Sequence, residues 1–354
     1  MAFLDSKHVM NYIVVLSIIA AVGYLGTHVK NAYTNHNEEH ELIRKYLLND
    51  SPLYGYNRPK LWVHTKYEYN ARKWQSFSSR SSHDLNQPYL HLTVKTIINQ
   101  CGNDFNVCLI DDESFSRLIP GWDVNVSNLA EPTKTHFREL AMMELLYIYG
   151  GMVVPNSFVC LQSLLPLYQE ATQGNRPFIC ETVNRHVNTM EKKKHLFMPD
   201  AHFMGAPKRS PVMKALMDYL KLQCKNPHFS EEVDFVGNTS AWCKNAVNHN
   251  QMNLVDGILI GIKTREGKPI LLEELMEEKS LDIPNDQIYG ILIPADEVLR
   301  RHKYQWLAVT PSEDLLNRNM VLSHYFMEAV MNGSVNTSEI REGTLEETRT
   351  VISI

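Results

Sequence analysis

Polar residues that close short apolar runs are the groups in this chain whose types and spacing suit chemistry. His64 and Thr65 end the run Lys60-Leu-Trp-Val-His-Thr65, and Asp111 and Asp112 end Asp104-Phe-Asn-Val-Cys-Leu-Ile-Asp-Asp112. A carboxylate pair can hold a hard cation or accept hydrogen bonds from a ligand. The same side chains cap helices, and Ser114-Phe-Ser-Arg-Leu-Ile119 follows directly, so a capping role for Asp111 or Asp112 stands beside the ligand role. A third polar tip, Pro155-Asn156-Ser157, follows Met152-Val-Val154. The basic stretch with Arg185, His186, Lys192, Lys193, Lys194 and His195 suits phosphate groups or, equally simply, a solvated loop.

For these residues to meet, the apolar runs must be strands of one sheet. Between the first two runs, Pro88 suits a first helical turn. Leu90, Val94, Ile97, Ile98 and Cys101 share one helical face, and Gly102 ends it. Strand, helix, strand predicts a βαβ unit with parallel strands, and in such sheets ligands bind beyond the carboxyl ends. His64, Thr65, Asp111 and Asp112 then face one crevice, and residues 66 to 87 form a surface excursion beside it. A helix from Thr133 to Tyr149, with Phe137, Leu140, Ala141, Leu145 and Ile148 on its core stripe, is stopped by Gly150-Gly151. A strand over Met152 to Val154 carries the Pro155-Asn156-Ser157 tip.

Downstream, the pattern predicts a helix over Phe158 to Tyr168, a strand over Pro177 to Val183, a strand and turn over Asp200 to Pro207, and a helix from Ser210 to Gln223. Residues 224 to 257 read as turn-rich, carrying Asp234, Trp242 and Asp256. Strands follow at Ile258 to Ile262 and Ile288 to Ile293, then a last helix from Ser312 to Met331 containing His324.

The chain has 354 residues, 44% hydrophobic and 21% charged, enough for one large core or two smaller ones. A net charge of -5 offers no basic surface for nucleic acid, so no polynucleotide partner is expected. Cys101, Cys108, Cys160, Cys180, Cys224 and Cys243 lack the paired short spacings of a zinc site and read as buried free thiols with at most one bridge. From Val9 to Val29 the chain is apolar apart from Asn11, Ser17, Thr27 and His28, the length of one bilayer-spanning helix. A signal peptide with small residues at Ala21 and Gly23 competes, but the run continues through Val22, Tyr24 and Leu25, which favours an uncleaved single-pass anchor. The organisation expected is an anchor over 1-29, a polar stalk over 30-57, one globular domain over 58-332 and a disordered tail over 333-354. The side of the membrane is left open by the flanking charges.

Taken together, Pro-Lys-Leu-Trp-Val-His-Thr65, the long helix, Asn106-Val-Cys-Leu-Ile-Asp-Asp-Glu-Ser-Phe-Ser-Arg-Leu-Ile-Pro120 and Glu139-Leu-Ala-Met-Met-Glu-Leu-Leu-Tyr-Ile-Tyr-Gly-Gly-Met-Val-Val-Pro-Asn-Ser-Phe158 resemble the capsular-polysaccharide-synthesis and related sugar transferases. These are GT-A-fold glycosyltransferases of the group that includes initiating mannosyltransferases with a DxD motif. His202-Phe-Met-Gly-Ala-Pro-Lys-Arg-Ser-Pro-Val-Met-Lys-Ala-Leu-Met-Asp-Tyr-Leu220 also looks like their segment after the central sheet. The resemblance spans about two thirds of the chain, and Leu-Leu-Tyr-x-Tyr-Gly-Gly is its most specific part.

The resemblance implies an α/β fold with a mixed, mainly parallel sheet flanked by helices, a nucleotide-sugar donor in the first crevice, a glycan or other acceptor, and Mn²⁺ or Mg²⁺ held by carboxylates against the diphosphate. Asp111 and Asp112 stand at the family's first acidic pair. The family's DxD falls on Pro155-Asn156-Ser157, and the acidic and basic residues of its preceding helix fall on Arg138-Glu139 and Met142. On this basis His64, Thr65, Asp111, Asp112, Arg138, Asn156 and Ser157 are expected at the donor, and Glu139, Asp200 and Asp234 as catalytic groups, with His202 beside Asp200 on the acceptor side. A relocated metal would sit on Asp112 and His324, with Asp111 and Asp200 near. Three readings follow: a transferase in which Arg138 and the basic stretch replace the metal, a transferase with its metal moved, and a non-catalytic binding or scaffold relative.

Overall fold

The computed structural model describes residues 58–65, 87–184, 196–225, 232–279, 281–284 and 287–334, with side chains for all of these except 232–236 and 332–334. The expected anchor and stalk, nearly all of the 66–87 excursion, the basic stretch over 185–195 and the tail beyond 334 lie outside these residues. Among the described residues no helix is long and apolar enough to cross a membrane.

The first strand, β1 (Lys60–His64), is followed by helix α1 (Pro88–Cys101) and strand β2 (Asn106–Ile110). β1 and β2 pair in parallel from Lys60 opposite Asn106 to His64 opposite Ile110, so the βαβ unit forms as its pattern requires. Short helix α2 (Ser114–Leu118) leads to α3 (Thr133–Tyr149), then β3 (Gly151–Val153), which pairs in parallel with the other side of β1. The end of α3 is set by two glycines. Gly150 has φ +72° and Gly151 φ +97°, and a Cβ on Gly151 would lie 2.1 Å from the Lys60 carbonyl oxygen, so the chain can reverse against β1 only without side chains.

Next come β4 (Phe158–Cys160), α4 (Leu165–Ala171), β5 (Phe178–Val183), β6 (Phe197–Ala206), α5 (Pro211–Lys225), α6 (Glu232–Asn248) and β7 (Asn253–Val255). The main sheet has the order β2-β1-β3-β6-β5-β7. β6 runs antiparallel to both β3 and β5, while β5 and β7 are parallel. Five strands therefore share one direction and β6 alone opposes them. The result is a mixed, mostly parallel sheet flanked by helices, an α/β architecture.

One face of the sheet, with Trp62, Ile110, Val153, Ile179 and Met204, packs under α2, α3, α5 and α6. A second core gathers α1, β4 and the C-terminal elements α7 (Leu272–Leu275), β8 (Gly290–Leu292), α8 (Ala295–Arg300), α9 (Gln305–Val309), α10 (Ser312–Leu316) and α11 (Val321–Ser334), around residues such as Leu92, Val159, Ile291 and Phe326.

Four local expectations are corrected. Phe158–Cys160 is a strand paired with Gly290–Leu292, and the helix begins only at Leu165, where Pro166 occupies its first turn. A three-residue apolar run carries no period, and a distant partner decides it. Residues 232 to 248, expected as turns, form α6. Its Asn, Thr, Ser and Gly residues are weak helix formers, and burial of Thr239, Ser240, Cys243 and Ala246 against the core supplies what propensity does not. Ile258 to Ile262 is a succession of turns closed by Gly261 at φ +67°. The last predicted helix divides into α10 and α11, with Asn317 to Met320 breaking it. All six cysteines are free; Cys101 and Cys160, both buried, place their sulfurs 3.8 Å apart.

Candidate functional site

Because five strands run one way, their carboxyl ends and the start of β6 share one edge of the sheet. His64 and Thr65 lie there at the end of β1, Asp111 and Asp112 after β2, the Pro155-Asn156-Ser157 tip after β3, and Asp200 early in β6. Neighbouring positions in the sequence take different roles. Thr65 is fully buried, and both its N–H and its hydroxyl donate to the Ile110 carbonyl, at 2.8 and 3.2 Å, closing the ladder. Asp111 opens α2: its Oδ1 accepts from the Ser114 N–H at 2.9 Å and the Ser114 hydroxyl at 2.6 Å. That is the capping role a carboxylate takes before a helix.

Asp112 points instead to α3. Arg138 donates from Nε to Oδ1 at 2.8 Å and from Nη2 to Oδ2 at 2.7 Å, a two-point fork, and His64 Nε2 stands 3.1 Å from Oδ1. The Arg138 side chain is 6% exposed and that of Asp112 13%. The His64 ring lies flat on Phe115, with centroids 5.4 Å apart and planes 3° from parallel, which holds its edge toward the carboxylate. Arg138 also reaches Glu131 Oε1 at 3.4 Å, and Glu131 Oε2 accepts from the Thr135 N–H and hydroxyl. Burial would raise the Asp112 pKa, but hydrogen bonds from His64 and Arg138 outweigh it and hold the carboxyl well below the usual range. Asp112 is a fixed anion.

On the other side of the edge, Asp200 Oδ1 accepts from the His202 N–H at 3.0 Å and lies 2.7 Å from His202 Nδ1. Between Ile179 opposite Met204 and Cys180 opposite Asp200 the β5/β6 register slips, so Ala201, His202 and Phe203 bulge from the ladder. The bulge turns the His202 side chain outward, 52% exposed, with its Nδ1 held at Asp200. Val153 pairs with Met204, so this bulge lies just beyond the end of β3 and beside its tip.

Glu139 is buried on α3. After burial itself, the charges of Glu139 and Asp200 are what raise the Cys243 thiol above its ordinary range, so both carboxylates bear on one residue of α6. Burial, then Glu139, likewise pushes Cys224 up to about 12. The Asn156 carbonyl accepts from the Thr93 hydroxyl of α1, Ser157 is buried with its carbonyl bonded to the Ile293 N–H at 3.1 Å, and the Phe158 N–H returns to Pro155 O. The tip is thus tied to two neighbouring elements. Asp234 lies in the first turn of α6, and His324 is an exposed residue of α11, a helix packed on α1.

A charged network absent from the sequence reading lies at the ends of β5 and β7. Lys263 Nζ reaches Glu181 at 2.6 Å and Asp256 at 3.0 Å and sits 5.0 Å above the Phe197 ring, while the Gly257 N–H donates to Glu181 at 3.1 Å. Burial lowers the Lys263 pKa, but the two carboxylates outweigh it and raise it. The network pins the turn after β7 to β5. Its signal was hidden because Lys263 follows a run of isoleucines that reads as a strand.

A divalent cation does not fit Asp112 as it stands, since both oxygens already face cationic or hydrogen-bonding donors. Asn156 and Ser157 offer only neutral ligands, and among the described residues no three His, Cys, Asp or Glu side chains gather as a metal-holding group.

No known protein family matches the chain, and no curated protein sequence does. Solved structures that overlay on it include the PaToxG glycosyltransferase, with a TM-score of 0.32 and 10% identity over 61% of this chain and 80% of that one. The galactosyltransferase LgtC in complex with donor and acceptor sugar analogs overlays with a TM-score of 0.30 and 12% identity over 56% of this chain and 74% of its own. An active-site mutant of LgtC gives 0.29 at 13% identity.

Proposed function

We propose that this protein is a membrane-anchored, glycosyltransferase-like protein that binds a nucleotide-sugar donor at the carboxyl edge of its sheet and transfers the sugar to a hydroxyl of a glycan acceptor. The observation that carries this reading is the meeting of five co-directional strand ends with two polar pairs, Asp112–Arg138 and Asp200–His202, at the edge where α/β sheets bind ligands. In the transfer, the bond from the sugar C1 to the diphosphate oxygen breaks and a bond from the acceptor oxygen to C1 forms. The acceptor proton passes to Nε2 of His202, whose imidazole Asp200 orients through Nδ1. Charge developing on the leaving diphosphate calls for cations, and with Arg138 committed to Asp112, Lys192, Lys193 and Lys194 are the groups this sequence offers.

A second reading is a membrane-tethered binding or scaffold protein on the same fold. It is favoured by the state of Asp112, whose oxygens are taken up by Arg138 and His64, and by the tied-down tip at Asn156 and Ser157. Titration of the full-length protein with UDP- and GDP-sugars, with and without Mn²⁺, followed by calorimetry and by product formation, separates the two. Binding with turnover that His202→Ala abolishes, while binding persists, supports transfer. Binding without turnover in the native chain, or no response to any nucleotide, supports the scaffold.

A further inference from the structure

Two of the six cysteines meet where α1 packs on β4. Cys101 is the last residue of α1 and Cys160 the last of β4. Both are fully buried, and their sulfurs stand 3.8 Å apart although 59 residues separate them in sequence. Hydrogen bonds on either side hold the contact. The Cys160 N–H donates to the Thr96 hydroxyl at 2.9 Å, and about one turn earlier on α1 the Thr93 hydroxyl donates to the Asn156 carbonyl. The ends of α1 and β4 are therefore fixed in register. Cys108, Cys180, Cys224 and Cys243 lie singly on β2, β5, α5 and α6.

A disulfide bond is about 2.05 Å long, so closing the gap moves the sulfurs by less than about 2 Å, shared between two side chains. We propose that Cys101 and Cys160 are a disulfide-forming pair, oxidised as the chain folds by a small-molecule disulfide of the glutathione class. The bridge ties α1 to the strand that follows the Pro155-Asn156-Ser157 tip. The thiolate of one cysteine attacks a sulfur of oxidised glutathione, forming a mixed disulfide and expelling one glutathione thiolate. The thiolate of the second cysteine attacks the protein sulfur of that mixed disulfide, so the protein S–S bond forms and the second glutathione leaves. The two cysteine protons end on the two glutathione thiolates, and two electrons pass from the protein to the oxidised glutathione. Burial, with contact to Cys101, pushes the Cys160 thiol well above its ordinary pKa. The folded dithiol therefore holds little thiolate, and the exchange belongs to the folding chain, before α1 closes over β4. The same burial then shields the bridge from reductant.

The test folds the full-length chain from urea in detergent, once with oxidised and reduced glutathione and once with dithiothreitol. Free thiols are then alkylated under denaturing conditions and the products read by intact mass and peptide mapping. The glutathione-folded chain is expected to protect two of its six thiols, in a cross-linked peptide joining Cys101 to Cys160, while the reduced chain exposes all six. Cys101→Ala and Cys160→Ala should each protect none. The bridged chain should melt about 10 °C above its reduced form, because the bond closes a loop between residues 59 positions apart. Reductant should leave the melting temperature of either variant unchanged. Six alkylated thiols after folding with glutathione would show two thiols packed merely as small apolar groups and overturn the assignment. So would a bridge to any other cysteine in the native chain, or a bridged chain that melts no higher than the reduced one. None of these readings uses a nucleotide sugar, so the proposed function stands or falls separately.

Discussion

Asp112 and Arg138 form the ion pair on which the candidate site is built, and its energetics are those of a largely desolvated pair. Removing one member leaves the other buried and charged, so Asp112→Ala should lower the unfolding free energy by about 3 to 5 kcal/mol in urea denaturation. Arg138→Lys keeps the charge but loses the planar fork, and about 1 to 2 kcal/mol is expected from the lost hydrogen bond. The depressed pKa of Asp112 gives the pair a pH signature. An unfolded-state aspartate titrates near about 3.9, and the folded value lies below it, so the stabilisation is complete above that pH and is lost as the pH falls toward the folded value. The stability gap between the native chain and Asp112→Asn should therefore be widest at neutral pH and shrink steadily on acidification below about 4, measured as urea midpoints across pH. A gap that does not change with pH would mean the carboxylate is not the ion the geometry shows.

Among the elements, the turn from α3 into β3 is the least tolerant of change. Gly151 has a left-handed φ, and any Cβ there would meet the Lys60 backbone, so Gly151→Ala must shift β3 away from β1. A loss of at least about 2 to 4 kcal/mol is expected, from strain and overpacking together, read as a lowered melting temperature. Trp62 anchors the same junction from β1. It is fully buried, and its Nε1 donates to the Gly150 carbonyl at 3.0 Å, so the strand that delivers His64 and the helix that delivers Arg138 are locked to one another. The α3 helix and its glycine stop are legible in sequence because apolar spacing and the need for glycine are local properties. β4 and α6 are not, because one is too short to show a period and the other is held by burial against residues far along the chain.

For the whole molecule, one core packs on the main sheet and a second gathers around α1, β4 and the C-terminal elements, and in sequence the apolar run from Val9 to Val29 precedes both. About twenty apolar residues suffice to hold a protein in a bilayer. The full-length chain is therefore expected to stay with membranes after alkaline carbonate extraction, and a chain lacking residues 1 to 29 to be released, as read by fractionation and immunoblot. Acid–base and ion-paired groups gather at the carboxyl ends of the parallel strands.

Local pattern alone determined the βαβ opening, the span of α3 to within its observed ends and the direction of the strands that bring His64 and Asp112 to one edge, since each follows from spacing, capping and right-handed crossover. Which of two adjacent aspartates becomes a helix cap and which a buried ion was decided only by the tertiary structure. Asp111 is satisfied three residues away by Ser114, whereas Asp112 is defined by His64 and by Arg138, groups that only the packing of β1 and α3 brings within reach.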